Sequence, residues 1–213
     1  MTALRALRHE TGAPDLMVLL PGAHMQPEDY VQAGCFGAVA RRGLALDLAA
    51  VDLGPHAACG SVPLAALQTQ ILGPARQRYR RVWLGGISLG GLLALAHAAD
   101  TPGAVDGLCL LAPYPGSRLT TNAIERAGGV DAWQPTPAQL ADPEFRVWRW
   151  LKRPPADLPV FAGYGTEDRF AGGMRQLAER FPPAARCAIA GGHDWPVWQR
   201  LWAHFLDLDH FSV

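Results

Sequence analysis

The sequence has no surplus of either charge: 19 basic side chains balance 19 acidic ones over 213 residues. It therefore offers no electrostatic footprint for nucleic acid or for an anionic membrane. No apolar run approaches the roughly 18 residues needed to cross a bilayer. The opening MTALRALRHE lacks a continuous apolar stretch followed by a small-residue cleavage site. A soluble cytoplasmic protein acting on a small molecule is the expectation. Cysteine is scarce as well. Cys35, Cys59, Cys109 and Cys187 have no CxxC spacing, and two of them fall in apolar runs, as buried free thiols of a reducing compartment do. The histidines His97, His204 and His210 are not spaced as metal ligands on one helical face, so neither metal nor cofactor is expected. There is no internal repeat and no low-complexity tract; Gly and Pro fall between apolar runs and mark frequent loops.

What is present is an alternation of short apolar runs with longer amphipathic ones. At 213 residues the chain is long enough for one substantial core and short for two. Leu16 to Leu20, the second half of Leu44 to Leu53, Arg81 to Leu84, Gly107 to Leu111, Pro159 to Tyr164 and Arg186 to Ala190 read as strands. Helical spacing is weak over Tyr30 to Arg42 and clear from Ser61 and Pro63 to Gly73 and Pro74. It returns in LLALAHAA, in Met174 to Phe181, and in Trp195 to Leu208 with Asp194 as cap. This order predicts an α/β protein whose mostly parallel sheet is covered by helices on both faces. Between residues 114 and 158 the alternation gives way to a Pro-, Trp- and Arg-rich insertion with two expected short helices, Thr121 to Ala127 and Pro137 to Leu151. It reads as a small cap within the single domain 1–213.

The chemistry is announced by Gly86-Ile87-Ser88-Leu89-Gly90, placed between an expected strand and an expected helix. A nucleophile elbow forces its serine into a strained turn at the strand end. Glycines two residues to either side let neighbouring backbone pass without a Cβ clash. The same turn sets the Leu89 amide at a helix N-terminus, where it faces developing negative charge.

With this motif the chain resembles the α/β-hydrolase superfamily over most of its length, from about Leu16 to Phe205, and is similar to its serine esterases and thioesterases. The resemblance implies an acid in a loop after a later strand and a histidine after the last one. FAGYGTEDRF supplies Asp168, with Glu167 as the neighbouring alternative, and IAGGHDW supplies His193. It also implies a second oxyanion donor in the loop after the early strand. That loop reads Pro21-Gly22-Ala23-His24, which makes the Ala23 amide the candidate and His24 its runner-up. His24 and Tyr114 are expected at the substrate pocket, although a loop imidazole facing solvent is the alternative for His24. Trp133, Trp148 and Trp150 either line an apolar pocket or pin the cap to the sheet. The implied activity is hydrolysis of an ester or thioester of a small to medium apolar acyl group. Acyl transfer, or a non-catalytic ligand-binding module on the same fold, are the alternatives.

Overall fold

Every residue of Asp15–Leu20 and six of the seven in Leu46–Asp52 are buried, as unbroken apolar runs must be when helices cover both faces of a sheet. The computed structural model describes residues 3–54 and 61–211. Cys59 and the side chain of Ser61 lie outside that description, and the described cysteines are all unpaired. In chain order the elements are β1 (Arg5–His9), β2 (Asp15–Leu20), α1 (Pro27–Gln32), α2 (Cys35–Arg42), β3 (Leu46–Asp52), α3 (Ser61–Leu67), α4 (Gly73–Arg78) and β4 (Arg81–Ile87). They continue with α5 (Leu89–Asp100), β5 (Gly107–Leu111), α6 (Arg118–Arg126), α7 (Pro137–Leu140), α8 (Pro143–Leu151), β6 (Val160–Gly165), α9 (Ala171–Ala178), β7 (Arg186–Ile189) and α10 (Trp195–Leu206).

The strands form one sheet in the order β1-β3-β2-β4-β5-β6-β7. All neighbours are parallel except β1, which pairs antiparallel with β3. The chain builds outward from β2 in one direction to β3, then crosses to β4 on its other side. The carboxyl ends of β2 and β4 therefore flank a topological switch point, where open α/β sheets place their ligands.

The expected architecture is present, and the differences are one unexpected edge strand and several element boundaries. β1 was not anticipated, because RALRH is a half-exposed edge strand with no apolar run. The weak helix over 30–42 is two helices, separated where Gly34 takes a left-handed φ of 77°. The expected helix over 137–151 divides at Asp142, whose carboxylate caps the Glu144 amide ahead of Pro143. Gly73 and Pro74, in contrast, do not stop the helix they were expected to end. Gln68–Leu72 is a π turn in which the Gly73 amide reaches back to the Gln68 carbonyl. The wider turn lets Pro74 sit at the start of α4 without breaking the path.

The segment 114–158 packs through α8 against α5. Trp148, on the buried side of α8, donates its indole N–H to the Pro115 carbonyl at 2.8 Å. Arg146 forms a two-pronged pair with Asp100 at the far end of α5. Trp150 leans on Phe181 outside the segment, whereas Trp133 stacks on Phe145 and Trp148 bonds to Pro115 within it.

Candidate active site

Ser88 occupies the single residue between the end of β4 and the start of α5, with φ 53° and ψ −114°. That conformation is costly for a residue with a Cβ and persists only where its surroundings over-determine it. They do so here. The Ser88 amide donates to the Leu111 carbonyl at 3.0 Å, and the Ser88 carbonyl accepts from the amides of Tyr114 at 2.9 Å and Leu92 at 3.2 Å. The elbow glycines are required by close approach. A Cβ on Gly86 would lie 2.4 Å, and one on Gly90 1.9 Å, from the Leu20 carbonyl oxygen of the adjacent strand.

His193 lies in the loop after β7. Asp194, not His193, caps α10, accepting from the Val197 amide at 3.2 Å, which leaves the imidazole free to turn inward. Its Nε2 lies 3.0 Å from Ser88 Oγ, and its Nδ1 bonds to Asp168 Oδ2. Two aromatic edges fix the ring plane: Phe170 at a centroid distance of 5.7 Å and Trp198 at 5.1 Å, both nearly perpendicular.

Asp168 follows β6, and its carboxylate is fully buried. Its other oxygen accepts from the Phe170 amide at 2.8 Å, so the carboxylate is satisfied on both sides. Glu167 is exposed and contributes only its amide, which donates to the Gly191 carbonyl at 3.0 Å and ties the acid loop to the histidine loop. Burial thus separates two adjacent carboxylates that look alike in sequence.

Of the remaining expected residues, Ala23, His24 and Leu89 line one cavity of about 590 Å³, together with Gly22, Leu53 and Leu93. Among the described residues the backbone amides of Ala23 and Leu89 donate to no protein acceptor. His24 has a positive φ of 64°. Tyr114 does not line this cavity; its ring stands edge-on to Phe170 at 5.1 Å, and burial raises its pKa above the ordinary phenol value. Phe170 and Trp198 were not anticipated at the site. Trp198 was legible only as a residue of the buried face of its helix, and nothing in the sequence distinguishes Phe170. No described helix is long and apolar enough to cross a membrane.

A family model described as "Alpha/beta hydrolase family" matches residues 17–211. Among solved structures, the monoacylglycerol lipase of Paleococcus ferrophilus is similar at TM-score 0.63 and 16% identity, covering 96% of this chain and 98% of that one. The fluorophosphonate-binding serine hydrolase F of Staphylococcus aureus is similar at TM-score 0.66 and 11% identity, covering 96% of each chain. Est1E from Butyrivibrio proteoclasticus is similar at TM-score 0.59 and 16% identity, covering 95% and 91%. A search of curated proteins finds no match.

Proposed function

This chain belongs to the alpha/beta hydrolase family, and from that premise we propose that it is a serine hydrolase cleaving carboxylic esters or thioesters of small to medium apolar acyl groups. The observation that carries the reading is the continuous hydrogen-bonded path from the Ser88 hydroxyl through His193 to the buried Asp168. A hydroxyl facing an imidazole whose far nitrogen faces a carboxylate is the arrangement that activates a serine.

In the proposed reaction Ser88 Oγ attacks the acyl carbon as its proton passes to His193 Nε2. Asp168 holds the Nδ1–H tautomer and stabilises the imidazolium. The amides of Ala23 and Leu89 receive the oxyanion, with the N-terminus of α5 adding its partial positive charge. Collapse expels the alcohol or thiol, which takes the proton from His193. A water molecule, deprotonated by the same imidazole, then releases the acid and restores Ser88. The cavity sets Leu53, Leu89 and Leu93 beside Asp52 and His24, so its apolar wall suits an acyl chain and its carboxylate disfavours an anionic one. Structural neighbours bear the names monoacylglycerol lipase and ferulic acid esterase, which agrees with an ester substrate. The segment 114–158 belongs in this reading to the same single domain as a small insertion.

The test is turnover of p-nitrophenyl and acyl-coenzyme A esters of graded chain length, with product analysis in the presence of added alcohols. Hydrolysis to free acid that disappears in Ser88→Ala is the expected result. A product esterified to the added alcohol would redirect the reading to acyl transfer, and absence of turnover on every ester would favour a binding role.

A further inference from the structure

Tyr30 stands at the base of the site and takes no part in the chemistry above. It projects from α1, its side chain is fully buried, and its hydroxyl touches two strands at once. It donates to the Leu20 carbonyl at 2.8 Å and accepts from the Ile87 amide at 3.1 Å. Leu20 and Gly86 form the last register pair between β2 and β4. The hydroxyl therefore clasps the two strands where they part company. One strand runs on through Pro21 and Gly22 to Ala23. The other runs directly into Ser88.

We infer that Tyr30 is a positioning residue for the oxyanion hole, whose bridging hydroxyl sets the spacing between the loop carrying Ala23 and the elbow carrying Ser88 and Leu89. The inference rests on the serine-hydrolase reading and deepens it. Three observations support it. The Leu20 carbonyl held by Tyr30 is also the atom against which Gly86 and Gly90 pack most closely, so any shift of Leu20 passes into the elbow. The ring of Tyr30 is met edge-on by Trp195 at 6.1 Å, Trp195 by Trp198 at 5.2 Å, and Trp198 by His193, so one packed aromatic series joins Tyr30 to the base. Burial holds the phenol well above its ordinary pKa, so it keeps the proton it donates throughout the working range. Two amides preorganised for an oxyanion act only when their separation is held to a fraction of an ångström.

The test is Tyr30→Phe, which keeps the ring and deletes the clasp. Rates are expressed per active site by fluorophosphonate titration of Ser88. The expected result is a fall in kcat of about 10- to 100-fold, the cost of a small misplacement of catalytic groups, with KM held within about twofold. Affinity for a trifluoromethyl ketone, which generates the oxyanion on binding Ser88, falls in parallel. A variant with wild-type kcat per titrated site and only a lowered Tm would overturn the inference and leave a purely structural tyrosine. Should Tyr30→Phe not fold, 3-fluorotyrosine placed at position 30 keeps ring and hydroxyl while weakening the bond accepted from Ile87. A lower kcat at constant KM then supports the role, and an unchanged kcat overturns it. Wild-type protein with neither ester turnover nor a fluorophosphonate adduct would defeat the serine-hydrolase reading itself, an outcome distinct from either result for Tyr30.

Discussion

Ser88 and His193, 105 positions apart in the chain, meet with 3.0 Å between Oγ and Nε2. A pair that works as one unit loses nearly all of its effect when either member is removed. Ser88→Ala and His193→Ala are each expected to lower kcat by about 10⁴- to 10⁶-fold, and the double variant to be no worse than either. Steady-state ester hydrolysis on the three proteins checks this; additive losses would mean that the two side chains act independently.

The two neighbouring carboxylates make a sharper contrast. Asp168→Asn keeps the shape but presents an amide to Nδ1, disfavouring the required tautomer, and is expected to cost about 10⁴-fold in kcat. Glu167→Gln, at an exposed position, should leave kcat within about twofold. The reverse order in a side-by-side assay would move the acid to Glu167.

Glycine substitution separates close approach from mere flexibility. At Gly90 a Cβ would come within 1.9 Å of the Leu20 carbonyl oxygen, so Gly90→Ala must shift backbone and is expected to destabilise by at least about 3 kcal/mol. In a protein of this size that lowers Tm by roughly 6–12 °C. A Cβ on Gly172, in α9, would meet nothing within 4 Å among the described residues, and Gly172→Ala should hold or raise Tm through helix propensity and lower unfolded-state entropy. Thermal unfolding of the two variants tests the distinction.

Acid stability should depend on two buried aspartates remote from Ser88. Burial alone would raise the pKa of Asp15, but hydrogen bonds from Arg81 and Arg80 outweigh it and hold the carboxyl below its ordinary value. At Asp47 the same opposition is won by the Thr11 amide and hydroxyl, the Ala13 amide and the Tyr79 hydroxyl. Because both carboxyls are more acidic folded than unfolded, the unfolded chain takes up protons first as pH falls. Their stabilisation is complete above the ordinary aspartate value of about 3.9 and is lost as pH drops through the folded values. Asp47→Asn is expected to lower the urea midpoint at pH 7 and to flatten its decline below pH about 4. An acid limb as steep as the wild type's would contradict this.

At His97 on α5 the pKa is also lowered, but here burial is the cause. The side chain is buried, its Nε2 has no partner among the described residues, and burial outweighs a weaker upward pull from Asp100. The unfolded chain therefore protonates first as pH falls below the ordinary histidine value of about 6.5, and stability declines with it. His97→Leu removes both the unpaired nitrogen and the titration. Its Tm should equal or exceed that of the wild type at pH 7.5, with a gap that widens at pH 5.5.

Much of this arrangement is legible in the sequence because it is written locally. The elbow announces itself as a strand, a glycine-flanked serine and an apolar helix. The α/β order emerges from runs such as Leu16–Leu20 that must be buried on both faces. The hidden parts depend on partners distant in sequence. Choosing between Glu167 and Asp168 requires knowing which one faces the His193 loop. The passage of Pro74 through a helix depends on a π turn begun six residues earlier, at Gln68, where the usual stop signals fail. Tyr30 carries no signal, since its hydroxyl acquires meaning only when β2 and β4 lie side by side.

The most direct measurement is the rate at which a fluorophosphonate modifies Ser88, read by peptide mass in wild type and in His193→Ala. Wild-type protein should take up one adduct, on Ser88, and the variant should react at least about 10³-fold more slowly. A folded wild-type protein that stays unlabelled, or equal rates in the two proteins, would contradict the assignment of an activated serine.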